Sequence, residues 1–299
     1  MSEISYSFIV PHKNSPVYLN KLLNSIPRRE DIEIIVVDDA SDKEVIDWNT
    51  FKYDDERCIK TIKSEKSGGG GYARNLGLKE AKGKWLLFPD ADDCYTKGFL
   101  SHIDEYLQSA YDVIYFSFNA ITNEGESLNW ETCSYVEEAI KGTRSVDWVK
   151  YKIYAVWCKM IKRSFVEEYG VSFEEVPFSN DRFFTFQIGF FAKSIHLDSY
   201  KLYNYIVYPK SQTNSAWTLK KSFARHNNLV KLNPFYKLIG HLEWKMTLRS
   251  YFNDMIGTRG IKNKIYFVLA GIMYLPTLYK NRNGYVNKIS ELEDRHNNL

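Results

Sequence analysis

Residues 68–93 read GGGGYARNLGLKEAKGKWLLFPDADD, and the fold of the chain turns on how this stretch divides. The glycines Gly68 to Gly71 supply a turn, the following residues through Ala81 a helix, Gly83 its stop, Lys84 to Phe88 a short apolar strand, and Pro89 to Asp93 an acidic strand end. Working outward, Cys58 to Ile62 is expected as the strand before the glycines. A similar cycle lies upstream. Ser5 to Val10 and Ile32 to Val37 are β-branched apolar runs of the kind buried on both faces of a sheet. Between them Ser15 caps a helix that has Pro16 at its first position and Val17, Leu19, Leu22, Leu23 and Ile26 on one face. This alternation predicts an α/β fold with a mostly parallel sheet flanked by helices.

After Asp93 the regularity falls. Asp112 to Phe118 reads as one more strand, Trp157 to Glu168 as a strand or helix entry, and Asp181 to Phe191 as a buried aromatic helix. From about Trp217 the pattern is helical and basic, which places a boundary near Ser215. With 299 residues, 44% hydrophobic and 26% charged, the chain is neither disordered nor collagen-like. Its net charge of +3 is too balanced for nucleic acid to be the default partner. The distribution is uneven: residues 201–299 hold 16 Lys and Arg against five Asp and Glu, so the body before them is acidic. Such a tail suits an anionic membrane surface, or equally a solvated helical face. The apolar run Ile265 to Tyr279 contains Pro276 and is shorter than the ~20 residues that span a bilayer. Four scattered cysteines without zinc spacing, and a start without a basic, apolar leader, lead to the expectation of a reducing, cytoplasmic compartment, with a peripheral position at the inner face of the cell membrane if the tail docks there.

In an open parallel sheet, ligands bind beyond the carboxyl ends of the strands. Here those ends carry Pro11-His12-Lys13-Asn14, Asp38-Asp39-Ala40-Ser41 and Pro89-Asp90-Ala91-Asp92-Asp93. Asp90, Asp92 and Asp93 repel one another unless a positive charge sits among them, and Mg²⁺ or Mn²⁺ suits one or two carboxylates completed by phosphate oxygens and water. The competing reading is an acidic cap for the helix after Tyr95. The glycine run opens a helix, an arrangement that can present N–H groups to an anion, but no Gly-Lys-Ser or Gly-Lys-Thr follows and it is not a P-loop. Arg74 at the helix start can pair with a phosphate or with a strand-end carboxylate. The histidines have no metal spacing, and no local signature marks a serine or cysteine nucleophile.

Taken in order, FIVPHKN at 8–14, IIVVDDASDKE at 34–44, the stretch 68–93, WCKMIKRSF at 157–165 and NDRFF at 180–184 resemble the successive motifs of the family 2 glycosyltransferases, over about residues 4–215. The resemblance implies the Rossmann-like GT-A fold and an inverting enzyme that uses a nucleotide-sugar, here a UDP-sugar. It implies that Pro11 and Asp39 line the nucleotide base and that Arg74 lies near the nucleotide, with Asp38 supporting the site or belonging to its acceptor side. Asp90-Ala91-Asp92 matches the family's DxD element, in which the first Asp lies near the ribose and the last, Asp92, holds Mn²⁺ or Mg²⁺ against the pyrophosphate; Asp93 extends it. On the acceptor side the family commonly has a Glu-Asp pair. This chain has Asn180-Asp181, so the base role falls to Asp181, with Glu174 and Glu175 the next carboxylates. Trp157 and Lys159 match a Trp-x-Lys-like element near the acceptor pocket. Lys13, where Tyr is common, and Tyr208-Pro209-Lys210, where Arg-containing sequences are usual, depart from the pattern.

The implied layout is a catalytic domain at 1–215, with a nucleotide-sugar half at about 1–95 and an acceptor half at about 96–215, and a basic, mainly helical region at 216–299. The implied acceptor is a hydroxyl of a saccharide or lipid-linked saccharide in surface polysaccharide synthesis. Two other classes stay open on the residues alone. A nucleotidyltransferase also joins a parallel sheet to metal and nucleotide, but should carry a Gly-rich, Arg-containing loop after its first strand, where PHKN stands. A non-catalytic nucleotide-sugar binding protein would need neither Asp92 nor Asp181.

Overall fold

The β-branched runs flanking the first helix do form neighbouring parallel strands. A computed structural model describes residues 3–51, 58–176, 179–209 and 231–245, together with 260–262, 264–266, 268–269, 272 and 294. Strand β1 (Tyr6–His12) pairs in parallel with β2 (Ile32–Asp38), joined through helix α1 (Pro16–Ser25), and β2 pairs in parallel with β3 (Ile59–Lys63). Helix α2 (Gly69–Glu80) then returns the chain to β4 (Trp85–Leu87), on the other side of β1. Gly77 lets α2 lie close to this sheet: a Cβ there would come within 2.5 Å of Ile9 Cγ2 and 3.2 Å of Val37 Cγ2.

The expected glycine turn is shorter than its sequence suggests, because the helix begins at Gly69 and takes most of the run into its first turn. Ser15 does occupy the cap position of α1 but makes no side-chain cap bond. Its amide donates instead to His12 Nε2, 3.2 Å away.

Beyond β4 the strand directions change. Strand β5 (Cys94–Tyr95) and helix α3 (Phe99–Ile103) lead to β6 (Val113–Thr122), which is extended by a short hairpin with β7 (Ser127–Leu128). Helices α4 (Tyr135–Ile140) and α5 (Val146–Lys152) precede β8 (Lys159–Lys162), followed by α6 (Arg163–Tyr169), α7 (Asp181–Phe191) and the long β9 (Ile195–Val207). The sheet order is β3-β2-β1-β4-β8-β6-β9-β5. Strand β8 is antiparallel to both β4 and β6, β9 is parallel to β6, and β5 is antiparallel to β9. Thus the half through β4 is parallel as expected, while the half that follows is mixed. Trp157 to Glu168 resolves into strand β8 running directly into α6.

The abundant aromatic residues largely build this core. Phe8 meets Tyr95 and Phe99 edge-on, and Phe88 meets Phe173 and Phe184. Phe173 and Phe184 stack at 3.8 Å, which pins the loop before α7 to that helix beneath the end of β4.

The chain separates into a unit at Met1–Pro209 and a second at Lys210–Leu299. In the second, helix α8 (Asn233–Leu238) buries Phe235 and Tyr236, and His241 stacks on Trp244 at 3.7 Å. The expected boundary near Ser215, the start of the basic helical region near Trp217, and most of the apolar run Ile265 to Tyr279 lie outside the described residues.

Candidate active site

The strand-end loops of β1 and β2 are tied together before any ligand is considered. Asn14 and Asp42 exchange two bonds, from Asn14 Nδ2 to Asp42 Oδ2 at 2.9 Å and from the Asp42 amide to Asn14 Oδ1 at 2.8 Å. Asn14 and Ala40 both adopt left-handed backbone, φ 52° and 54°. For Ala40 this costs conformational energy that the surrounding bonds must hold in place. Asp38 is buried and accepts from Ser41 Oγ at 2.5 Å and lies 3.1 Å from His12 Nδ1. Because His12 Nε2 accepts from the Ser15 amide, the ring proton is assigned to Nδ1, pointing at Asp38. Burial works to raise the Asp38 pKa, but the bonds from His12 and Ser41 hold it below the usual carboxylate value.

Asp39 turns the other way. Its carboxylate accepts from Ser67 Oγ at 2.8 Å, from the Gly68 amide at 2.6 Å and from the Gly69 amide at 3.0 Å. Lys13 Nζ in turn donates to Ser67 Oγ at 2.7 Å. Two of the glycine amides that could have cradled an anion are therefore already engaged by a carboxylate of the protein itself. The glycine run acts here as a clasp between β2 and α2, and Pro11 on β1 pairs with Val37 of β2, two residues before Asp39.

Arg74, one turn further along α2 and only 7% exposed, is the hub of the site. Its Nη2 donates to Asp90 Oδ1, and its Nη1 donates to Asn180 Oδ1 at 2.8 Å. The guanidinium also lies over the Phe173 ring, 5.4 Å from its centroid. Gly71 makes the approach of α2 to this loop feasible: a Cβ there would overlap the Glu174 carbonyl oxygen and lie 2.9 Å from Asn180 Cβ. Gly71→Ala is expected to cost about 1–3 kcal/mol, the usual scale of overpacking, read as a lower urea midpoint with unchanged slope. A midpoint equal to that of the wild type would show that the loop yields freely.

The acidic cluster is asymmetric. Asp90 is paired with Arg74, and the Tyr203 hydroxyl accepts from its backbone N–H at 2.9 Å. Ala91 is buried beneath the turn. Asp93, 1% exposed, accepts from the Ile206 amide of β9 at 2.7 Å, while its Oδ2 has no hydrogen-bond partner among the described residues. Burial, then the Asp92 and Asp90 charges, push its pKa well above the usual value. Asp92 makes no side-chain ion pair with a described residue; burial and the Asp90 charge push its pKa up to about 6. That chemistry fits a divalent cation at Asp92, which would relieve both effects. Among the described residues no three His, Cys, Asp or Glu side chains converge to hold a metal, so the cation would be held by Asp92 with water and donor phosphate completing its shell.

Facing this loop, Asp181 is the first residue of α7, directly after Asn180 and after Ser179, which has a left-handed φ of 54°. Burial pushes the Asp181 pKa up; Arg74 and Arg182 pull it back, and the Asp90 charge raises it again. Lys159 is fully buried, with Nζ donating to the carbonyls of Ile153 (2.8 Å) and Ala155, and burial lowers its pKa. Trp157 is buried and stacks on Tyr203 at 4.8 Å and Tyr205 at 5.5 Å.

Arg74, Asp90 and Asn180 are thus in direct contact, and Asp181 lies within their electrostatic reach. Asp38 and Asp39 are anchored at the end of β2, two strands away from β4 with β1 between. Lys159 faces inward to backbone carbonyls, and Trp157 stacks on Tyr203, whose hydroxyl accepts from the Asp90 amide. Glu175 accepts from Asn75 Nδ2 at 3.2 Å, which fixes the loop before α7. Three residues that the sequence reading left without a role hold the site together: His12, Ser67 and Tyr203. For Tyr203 a signal existed in the alternation of Tyr203, Tyr205 and Val207.

A parallel half joined to a mixed half, with carboxylates at the joint, is the GT-A architecture of glycosyltransferases. The chain belongs to glycosyl transferase family 2, whose model matches residues 7–170. It is similar to the poly(ribitol-phosphate) β-N-acetylglucosaminyltransferase TarS of Staphylococcus aureus, 28% identical over 211 residues that cover 68% of this chain and 35% of TarS. The chain spans about a third of the length of that curated relative. The crystal structure of S. aureus TarS 1–349 with UDP-GlcNAc shares the fold, with a TM-score of 0.64 at 23% identity over 89% of this chain and 79% of that one. So does the mannosyltransferase PcManGT of Pyrobaculum calidifontis, in complex with GDP-Man and Mn²⁺, with a TM-score of 0.58 at 14% identity over 99% of this chain and 88% of that one.

Proposed function

We propose that this glycosyltransferase is inverting and metal-dependent and moves a sugar from a UDP-sugar to a hydroxyl of a saccharide or lipid-linked saccharide in surface polysaccharide synthesis. The observation that carries the reading is the opposition of the Asp90–Asp93 loop and Asp181 across the Arg74 hub. UDP is favoured over other nucleotides by the relative, whose complex contains UDP-GlcNAc. In this reading residues of about 1–95 bind the donor, with Pro11 and Asp39 near the base, and residues of about 96–215 present the acceptor.

Asp92 would hold Mn²⁺ or Mg²⁺, which when bound supplies neutralisation of charge on the departing diphosphate. Arg74 contributes a fixed positive charge on the same side. Asp181 takes the proton of the acceptor hydroxyl as that oxygen attacks the sugar C1, and one displacement without an enzyme nucleophile inverts the configuration. Trp157 and Lys159 support the acceptor side from behind, Trp157 by stacking on Tyr203 and Lys159 by holding the Ile153 and Ala155 carbonyls.

Thermal shift with UDP, GDP and a panel of their sugars, each with Mn²⁺, tests the donor. A true donor at 100 times its dissociation constant stabilises by ~2.7 kcal/mol. Stabilisation by GDP-sugars alone would overturn the UDP assignment.

Among the described residues no helix is long and apolar enough to cross a membrane. We place the enzyme in the cytoplasm, with the basic tail from about Trp217 docked on the anionic inner face of the cell membrane. Each Lys or Arg near such a surface contributes about 1 kcal/mol. Salt-sensitive flotation with anionic liposomes is expected for the full chain and not for one ending before residue 217. No binding by the full chain at low salt would remove the membrane from the proposal.

A further inference from the structure

At position 180 the chain carries an uncharged amide beside the base assigned above, and that amide closes the contact between the two sides of the cleft. Asn180 Oδ1 is the only described acceptor for Arg74 other than Asp90. The contact is built rather than incidental. Gly70 leaves room for the guanidinium and the amide, since a Cβ there would sit 3.2 Å from Arg74 Nη1 and 3.5 Å from Asn180 Nδ2. Gly71 clears Asn180 itself, the Glu174 amide donates to the Asn180 carbonyl at 3.4 Å, and the left-handed Ser179 turns the chain into α7 just before it.

We propose that Asn180 is a positioning residue: it seats the first turn of α7, and with it Asp181, against the Asp90 side of the donor loop by accepting from Arg74 without dividing that cation's charge among further carboxylates. The proposal rests on the reading of Asp181 as the base, but its physical content is independent of catalysis. The charged groups facing Asp181 are Arg74 from α2, Arg182 from its own helix, Asp90 from the loop after β4 and Lys159 from β8. Arg74 already serves Asp90, so a second carboxylate at 180 would leave one guanidinium between two acids, with a third adjacent. An amide makes the same bond and adds no repulsion.

Asn180→Asp and Asn180→Ala separate charge from geometry. Asp keeps the size and the accepting oxygen, so the Asp181 carboxyl, followed by carbon-detected NMR in the full-length protein without substrate, should titrate about one pH unit higher than in the wild type. Ala removes the bond, so the amides of Thr185 to Ile188, which donate to the first-turn carbonyls of α7, should exchange at least tenfold faster while the rest of the sheet keeps its protection. In transfer assays Asn180→Ala should lower kcat more than it raises the donor KM, and Asn180→Asp should restore kcat only at higher pH. An unchanged Asp181 titration in Asn180→Asp overturns the charge argument. Wild-type α7 exchange in a folded Asn180→Ala overturns the seating argument. Because titration and exchange need no substrate, failure of Asp181 as a base would appear separately, as undiminished transfer by an Asp181 variant.

Discussion

Asp181→Asn is expected to reduce sugar transfer by 10²-fold or more while leaving donor affinity nearly unchanged. The side chain keeps its shape at the first position of α7, so helix and fold should survive; what it loses is the capacity to take the acceptor proton. The environment suits that task. Burial raises the Asp181 pKa, and Arg74 and Arg182 limit the rise, which makes the carboxylate a stronger proton acceptor than an exposed aspartate. For an acid whose pKa is raised in the folded state, the ionised, catalytic form is lost as pH falls through that pKa. The acid limb of the wild-type profile is therefore expected above the range of a free aspartate, and it should vanish in the variant. Residual transfer at wild-type rate would move the search to Glu174 and Glu175.

Asp92→Asn is expected to abolish metal-dependent nucleotide binding without weakening the protein. In the metal-free protein the Asp92 carboxylate is opposed by burial and by Asp90, so its ionised form is disfavoured in the folded state relative to the unfolded one. That contribution favours folding more as pH falls through about 6, and at neutral pH it opposes folding. Asparagine removes the opposition. The variant should thus unfold at a temperature equal to or higher than that of the wild type at pH 7 in EDTA, and should show none of the stabilisation that UDP with Mn²⁺ gives the wild type. Calorimetry showing equal nucleotide affinity with and without EDTA in the wild type would remove the metal from Asp92.

The parallel half was legible because β1, β2 and β4 are compact apolar runs, with a helix or a turn between one strand and the next. The later half was not. Strand β9 begins IHLDSYK, and between Asp198 and Lys201 its register against β6 slips, so the alternation of side chains breaks in the middle. The 13-residue strand therefore leaves no continuous alternation in its sequence. At the site, the acidic loop, Arg74 and Asp181 were all legible by type and order. Their mutual contacts were not, because the Arg74–Asn180 bond joins residues 106 apart and the glycine amides were seen as free, whereas Asp39 had already taken two of them. Local spacing carries no information about which of several donors a carboxylate will satisfy.

The reversal of strand direction at β4 bears on how the chain is made. Strand β4 is only three residues long, with Trp85 and Leu86 fully buried, and one of its two edges is covered by β8. During synthesis the residues through Leu87 leave the ribosome well before Lys162. At 5–20 residues per second the newborn sheet shows an apolar, unpaired margin for roughly 4–15 s until the covering strand arrives. In that interval the nascent chain is a substrate for chaperones and for its neighbours on the same message, and slower translation between codons 88 and 162 should lengthen the exposure and lower the soluble yield.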